Sequence, residues 1–188
     1  MHEFIYFGAK GRGEAIRVML HAAGVEWKDN RFEVSEWAEI KPTTPLGAVP
    51  ILKIDGNTYC QSLAMLRYAG KLAGFYPEDP LEALKVDQAL DTVGEMMTNV
   101  PRSRDEEEFK KLRKEYQEGG MKKFMTFLES TIEGTGFAST PSVPLLMLPL
   151  VSLSTTFRTV SGLILTLTFS NNIPKSGKSS KSYEPLYL

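Results

Sequence analysis

The chain has 188 residues, of which 42% are hydrophobic and 24% are charged, and its formal net charge is −1 at pH 7. These values are typical of a soluble globular protein with one large domain or two small ones. The near-neutral charge gives no electrostatic reason to expect nucleic acid or an anionic membrane as a partner. A single cysteine excludes an intrachain disulfide framework. Because it also fits a reducing compartment, and the N-terminus lacks the pattern of a secretory signal, we expect a cytoplasmic protein.

The first 45 residues contain two strand-like and two helix-like segments. The hydrophobic pattern predicts a buried strand, a helix, a second strand and a short helix, in that order, at residues 4–7, 14–23, 26–32 and 35–40. We expect residues 10–13 to form a flexible turn and Ser35 to cap the short helix. Pro42 and Pro45 interrupt the chain after it.

A predicted hairpin and helix follow. Asp55-Gly56 lies between two short strand-like runs, and this dipeptide favours a type I′ hairpin turn. The dipeptide Val49-Pro50 precedes the hairpin and is a candidate for a cis peptide bond. Gln61-Ser62 ends the hairpin and begins a helix that reaches Gly74. Two strands joined by a helical crossover, followed by an antiparallel hairpin, predict a small mixed sheet with helices on both sides, which is a thioredoxin-like α/β arrangement.

The ends of these elements suggest a binding site for a small acidic peptide. A backbone edge at Val49-Pro50 can pair with an extended peptide as an added strand, and the helix N-terminus at Gln61-Ser62 favours a carboxylate. Tyr6 is predicted at the carboxyl end of the first strand, where its phenol can donate a hydrogen bond to a bound thiolate and lower the thiol pKa from its usual value of about 8.5. The alternatives are an ordinary hairpin, a Ser-capped helix and a half-buried strand tyrosine. Redox chemistry of the thioredoxin type is excluded because the first helix carries no Cys-x-x-Cys motif.

Four groups of residues share their spacing with a known family. They are Tyr6-Phe7 with residues 11–14, Trp37 with residues 41–43, Leu46-Gly47-x-Val49-Pro50-Ile51-Leu52, and Gln61-Ser62-Leu63-Ala64-x-x-Arg67-Tyr68. Together they resemble the cytosolic glutathione S-transferases, in particular the sigma class, which includes glutathione-dependent prostaglandin D synthases and invertebrate detoxification enzymes. The match extends over residues 3–135 and leaves residues 138–188 unmatched.

The resemblance implies a role for each matching residue. Tyr6 would stabilise the glutathione thiolate and Arg12 would support it electrostatically. Trp37 and Lys41 would hold the glycine end of glutathione, although a packed core aromatic and a solvated lysine are the ordinary alternatives. The remaining residues implied to bind glutathione are Phe7, Ala48, Val49 before a cis-Pro50 and, for the γ-glutamyl carboxylate, Gln61 and Ser62.

Beyond a linker at residues 74–80, the pattern predicts an all-helical second domain at residues 81–137 after a first domain at residues 1–75. The first of its helices spans residues 81–100, and its inward stripe is predicted at Leu84, Ala89, Leu90, Val93, Met96 and Met97. A charge run at residues 102–118 predicts a solvated helix, and a further helix ends near Gly134. The resemblance implies a homodimer in which Glu95, at a position that is usually aspartate, reaches the partner's glutathione. It also implies that Met97 and Arg102 face the second substrate, with core packing as the alternative for the methionine.

The last 50 residues have a different composition. Between Phe137 and Pro174 the only charged residue is Arg158, and the Lys- and Ser-rich end from Lys175 is predicted to be disordered. A membrane span is disfavoured by three prolines and by Arg158. A divergent helical end is one interpretation, and our preferred hypothesis is that the tail is not selected coding sequence, so that the helical domain is incomplete. The absent helices would then leave Phe124, Phe127 and Leu128 exposed.

The resemblance implies an enzyme that joins glutathione, as co-substrate, to small hydrophobic electrophiles in detoxification, with no metal. The alternatives are a glutathione-dependent prostaglandin-type isomerase and a non-catalytic member of the fold that binds ligands or serves as a crystallin-like structural protein.

Overall fold

The computed structural model describes residues 1–134, apart from the side chains of residues 129 and 132–134. The strands are β1 (His2–Phe7), β2 (Trp27–Phe32), β3 (Ile51–Ile54) and β4 (Asn57–Tyr59). The helices are α1 (Glu14–Ala22), α2 (Trp37–Ile40), α3 (Ser62–Leu72), α4 (Pro80–Thr98), α5 (Glu106–Glu118) and α6 (Gly120–Gly134). The predictions for residues 138–188 lie outside these residues.

The four strands form one mixed sheet in the order β2-β1-β3-β4. β1 and β2 are parallel, whereas β3 is antiparallel to both β1 and β4. Asp55 and Gly56 have φ values of 48° and 84°, as a type I′ turn requires at both central positions. The predicted thioredoxin-like arrangement and the hairpin are therefore confirmed.

Two local predictions are wrong. Residues 10–13 do not form a flexible turn, because residues 11–13 are a 3-10 helix in which the Gly13 N–H donates to the Lys10 carbonyl at 3.1 Å. Ser35 does not cap the short helix. It lies inside a 3-10 helix (Val34–Glu36) that directly precedes α2, and Glu33 and Glu36 form a reciprocal capping box at that 3-10 helix, with the Glu33 N–H donating to Glu36 Oε2 at 2.7 Å.

One continuous apolar core extends from the sheet into the long helix. Phe4 of β1 and Leu66 of α3 belong to the same cluster of buried side chains as Val86 and Leu90 of α4. The predicted stripe of α4 is right except at Leu84, which is 62% exposed. Leu84 lies two residues before Val86, and at 100° per residue this places it on the other side of the helix.

An ion-pair network also joins α3 to α4. Arg67 Nε donates to Asp87 Oδ1 at 2.6 Å and Arg67 Nη2 to Asp91 Oδ1 at 2.5 Å. The Tyr76 hydroxyl, in the linker between the two helices, donates to the second oxygen of Asp87 at 2.9 Å. Partial burial alone would lower the pKa of Arg67, but the bonds to Asp91 and Asp87 outweigh this effect and raise it. The α3–α4 junction therefore has polar contacts as well as an apolar core.

The last two helices agree with the sequence in most respects. α5 has no buried residue, and Lys110 pairs with Glu106 one turn earlier at 3.0 Å, as the charge run predicts. The expected exposure of α6 is wrong for Leu128, which is 2% exposed, and holds for Phe127, which is 39% exposed. Phe124 is half-buried against the core. None of the helices within residues 1–134 has the length and apolar character that a membrane crossing needs.

Gly94 of α4 lies close to the Leu63 side chain of α3. A Cβ at Gly94 would lie 2.6 Å from Leu63 Cδ1, so alanine would have to displace the leucine side chain. An alanine normally stabilises a helix by about 1 kcal/mol relative to glycine. We expect Gly94→Ala to bring no such gain in the free energy of unfolding, and to bring most of it when Leu63 is also replaced by alanine.

The measurement is a double-mutant cycle in urea, with Leu63→Ala alone as the control. A full gain from Gly94→Ala in the unaltered chain would contradict the steric explanation.

Candidate functional site

The strand register brings three of the predicted site residues into one row. Ile5 of β1 is opposite Ile51, and Leu52 is opposite Tyr59 of β4. Continued in the same register, the β1–β3 ladder would place Tyr6 opposite Pro50 one residue beyond its last pair, and the β3–β4 ladder would place Pro50 opposite Gln61 two residues beyond its last pair. Neighbouring strands are about 4.8 Å apart, so the backbone at Tyr6 and at Gln61 is separated by about 10 Å.

Tyr6 is half-buried, and its ring lies against the 3-10 helix that carries Arg12. A Cβ at Gly13 would be only 2.4 Å from Tyr6 Cδ1, and one at Gly11 only 2.7 Å from the Tyr6 hydroxyl oxygen. The hydroxyl accepts the Arg12 backbone N–H at 3.2 Å. No residue in the described part of the chain accepts the Tyr6 O–H, so its proton is available to a ligand.

The Arg12 side chain is exposed. It forms no ion pair with any side chain of residues 1–134.

Phe7 and Trp37 continue the site on the side of β2. The ring centroids of Tyr6 and Phe7 are 5.5 Å apart, and those of Phe7 and Trp37 are 5.6 Å apart. Trp37 also stacks on Phe32 at 6.0 Å with an interplanar angle of 15°. Trp37 is therefore held by aromatic packing while part of its surface remains accessible.

Lys41 and Ala48 lie on the loop that enters β3. Lys41 is exposed, and its Cε would be 3.4 Å from a Cβ at Gly47, which has a φ of +59°. The lysine side chain thus lies beside Gly47, the residue before Ala48. The Val49-Pro50 peptide bond is cis, as the sequence suggested, and Pro50 is buried while Ala48 is exposed.

The N-terminus of α3 is not capped by a side chain. Gln61 occupies the cap position with a φ of 77°, and Ser62 is the first helical residue. The alternative of a Ser-capped helix is therefore wrong. A positive φ is uncommon outside glycine and is enriched at binding sites. The first N–H groups of this 11-residue helix, together with its dipole, favour an anion at this end.

Glu95, Met97 and Arg102 are not joined to this row by any direct contact between described residues. Glu95 is exposed on α4, and its carboxylate forms no hydrogen bond or ion pair with residues 1–134. Burial raises the pKa of the Tyr116 hydroxyl, and the charge of Glu95 raises it further. Met97 is half-buried against the core, in agreement with core packing, and Arg102 is exposed. Gly94 nevertheless contacts Leu63, so this part of α4 lies against the first turn of α3.

Arg17 is a site-forming residue that the sequence analysis missed. Its side chain is completely buried on α1, beside the Tyr6 ring, and it donates to backbone carbonyls of the β1–α1 connection. An arginine within the apolar run from Ala15 to Leu20 was the available signal, because a charge on a buried helix face requires dedicated partners.

No group of three or more His, Cys, Asp or Glu side chains within residues 1–134 is arranged to hold a metal ion. The polar groups at and around the row are the Tyr6 phenol, the backbone N–H groups at the start of α3 and two exposed cations, Arg12 and Lys41. Such groups are suited to an anionic ligand with a peptide backbone.

Comparisons with known proteins agree with this arrangement. Residues 2–71 match the family model described as "Glutathione S-transferase, N-terminal domain". The chain is 38% identical over 100 residues to hematopoietic prostaglandin D synthase of Gallus gallus, covering 53% of this chain and 50% of that protein. It is 33% identical over 139 residues to glutathione S-transferase 3 of Caenorhabditis elegans, covering 70% of this chain and 67% of that protein.

Solved structures give the same result. The structure of prostaglandin synthase D of Nilaparvata lugens matches with a TM-score of 0.77 at 29% identity, covering 89% of this chain and 88% of that one. This chain matches only about half the length of several curated relatives, including the Gallus gallus protein. The Caenorhabditis elegans match, however, extends over two thirds of its relative. The chain therefore belongs to the glutathione S-transferase family.

Proposed function

We propose that the protein is a glutathione transferase, which joins the glutathione sulfur to small hydrophobic electrophiles. The observation that supports this most strongly is the row of Tyr6, Pro50 and Gln61 across one edge of the sheet. A phenol with an available proton stands at one end of the row, and an uncapped helix N-terminus stands at the other.

Glutathione would lie along this edge in an extended conformation. Its γ-glutamyl carboxylate would bind at Gln61 and Ser62, where the helix N-terminus favours negative charge. Its cysteinyl backbone would pair with Val49 as an added strand. Lys41 would pair with the carboxylate at the glycine end, beside Trp37. Phe7 and Ala48 would form the remaining contacts.

Tyr6 would then donate its hydroxyl hydrogen to the glutathione sulfur. Donation to the charged form favours the thiolate and lowers the thiol pKa, so more nucleophile is present at neutral pH. The Arg12 N–H strengthens this donor, because a hydroxyl that accepts a hydrogen bond is polarised towards donating another. In the reaction the thiol proton leaves to solvent, the sulfur bonds to the electrophilic carbon, and the leaving group departs with the electron pair of the broken bond.

We further propose a cytoplasmic homodimer with a role in detoxification, in which Glu95 reaches the glutathione bound to the partner. The exposure of Glu95 and its lack of an ion pair within residues 1–134 support this placement.

Replacing Tyr6 tests the proposed chemistry directly. We expect Tyr6→Phe to lower kcat for a generic aromatic electrophile roughly 10- to 100-fold, since a hydrogen bond to a charged group contributes about 1.5–3 kcal/mol. Binding to immobilised glutathione should change little. Tyr59→Phe is the matched control, because Tyr59 is a 49% exposed strand tyrosine opposite Leu52 and is not itself a member of the row. Unchanged turnover in Tyr6→Phe would contradict the role of Tyr6.

A second variant moves the Tyr6 ring without altering its chemistry. The Cβ of Gly13→Ala would force the ring away by about 1 Å, and misplacements of this size reduce catalysis by up to about 100-fold. We expect at least a tenfold lower kcat, measured in the same assay after folding is verified by circular dichroism. Gly8→Ala is the control, since its Cβ would meet only Glu33 Oε1 at an ordinary 3.5 Å. Equal rates in the two variants would show that the placement of the ring does not matter.

A glutathione-dependent isomerase is the second candidate, because the similar proteins include prostaglandin D synthases. In such a reaction the thiolate opens an endoperoxide and is released again, so glutathione is not consumed. We expect conjugation, in which one thiol disappears for each electrophile converted. Thiol titration with product analysis by mass spectrometry distinguishes the two. Retention on immobilised glutathione without turnover of either substrate would instead indicate a non-catalytic, ligand-binding or crystallin-like protein.

A further inference from the structure

We propose that Arg17 is a positioning residue of the thiolate site, whose guanidinium fixes the backbone on both sides of the β1 terminus and thereby holds Tyr6 towards the sulfur. The inference rests on the proposed function for its consequence, whereas the contacts that support it are independent of any ligand.

Arg17 holds the connection between β1 and α1. Arg17 Nη2 donates to the Phe7 carbonyl at 2.9 Å, and Nη1 donates to the Ala9 carbonyl at 3.0 Å. Phe7 is the residue after Tyr6, and Ala9 lies two residues before the 3-10 helix that carries Arg12. One planar group therefore fixes the strand end and the start of the turn relative to each other.

Arg17 also contacts the Tyr6 ring. Its Cζ atom lies 5.7 Å from the centroid of the Tyr6 ring and 5.5 Å from that of Phe4. A guanidinium within about 6 Å of an aromatic centroid is attracted to the ring. Tyr6 is thus bounded by the buried guanidinium and by the glycines of the 3-10 helix, which contact its ring and hydroxyl.

The groups that pair with Arg17 indicate a positioning role for it, not an electrostatic one. Arg17 Nε pairs with Asp29 Oδ1 at 3.1 Å, and Nη1 lies 3.5 Å from Glu14 Oε2. Asp29 Oδ2 also accepts from Arg31 Nε at 2.7 Å. Two carboxylates therefore face two guanidiniums, so Arg17 adds little net field at a bound sulfur. Its effect on the thiolate must therefore come mainly from where it places the Tyr6 hydroxyl and the Arg12 N–H.

The test compares two variants of the full chain that weaken the same buried network in different places. Arg17→Lys keeps the charge, but an ammonium cannot replace the planar fork that reaches both carbonyls and Asp29. We expect the pKa of the bound glutathione thiol, titrated by the ultraviolet absorbance of the thiolate, to rise by about one unit. The pH profile of kcat/KM should move by the same amount, and KM for glutathione should change little.

Asp29→Asn is the matched control. It weakens the ion pairs with Arg17 and Arg31 and leaves both carbonyl bonds of Arg17 in place, so we expect a lower melting temperature with an unchanged thiol pKa. The inference is overturned if a folded Arg17→Lys titrates like the wild type, or if Asp29→Asn raises the thiol pKa as well. If Arg17→Lys does not fold, Asp29→Asn decides alone: an unchanged thiol pKa supports the inference and a raised one overturns it. A wild-type chain that shows no thiolate signal would refute the proposed function itself, and the inference with it.

Discussion

The register of β3 is the constraint on which the site depends. Because β3 is antiparallel to both β1 and β4, the residue that precedes it lies between the end of one neighbour and the end of the other. A shift by one residue on either side would turn the paired side chains to the opposite face of the sheet. The type I′ turn at Asp55 and Gly56 fixes the β3–β4 register, and the buried side chains of Phe4 and Leu52 fix the register of β1 with β3.

The helical part supports this edge from one side. α3 begins at the site, and its first turn contacts Gly94 of α4 through Leu63. Further along α3, Arg67 is held by two carboxylates of α4. The orientation of the uncapped N-terminus therefore depends on the packing of α4 as well as on the sheet.

A thioredoxin-like fold serves many reactions, and the reaction of any one member is decided by the groups at the edge of its sheet. Here those groups are the Tyr6 phenol and the N-terminus of α3. The phenol oxygen accepts a hydrogen bond from Arg12 and its O–H has no acceptor within residues 1–134, while no side chain caps the helix. The same geometry would serve conjugation, isomerisation or simple retention of glutathione. The second substrate would distinguish them.

The sequence by itself determined the order of the elements, the hairpin, the charged face of α5 and the residues of the row, because these depend on local periodicity, turn chemistry and the spacing of motifs. It also indicated the thioredoxin-like sheet, since a crossover followed by a hairpin allows few other arrangements. Only the structure decided that Ser35 lies inside a 3-10 helix and does not cap the short helix, that Leu84 is exposed and that Leu128 is buried. It alone identified Arg17, because the partners of a buried charge come from β1, β2 and the connecting loop, which local sequence patterns do not relate to one another.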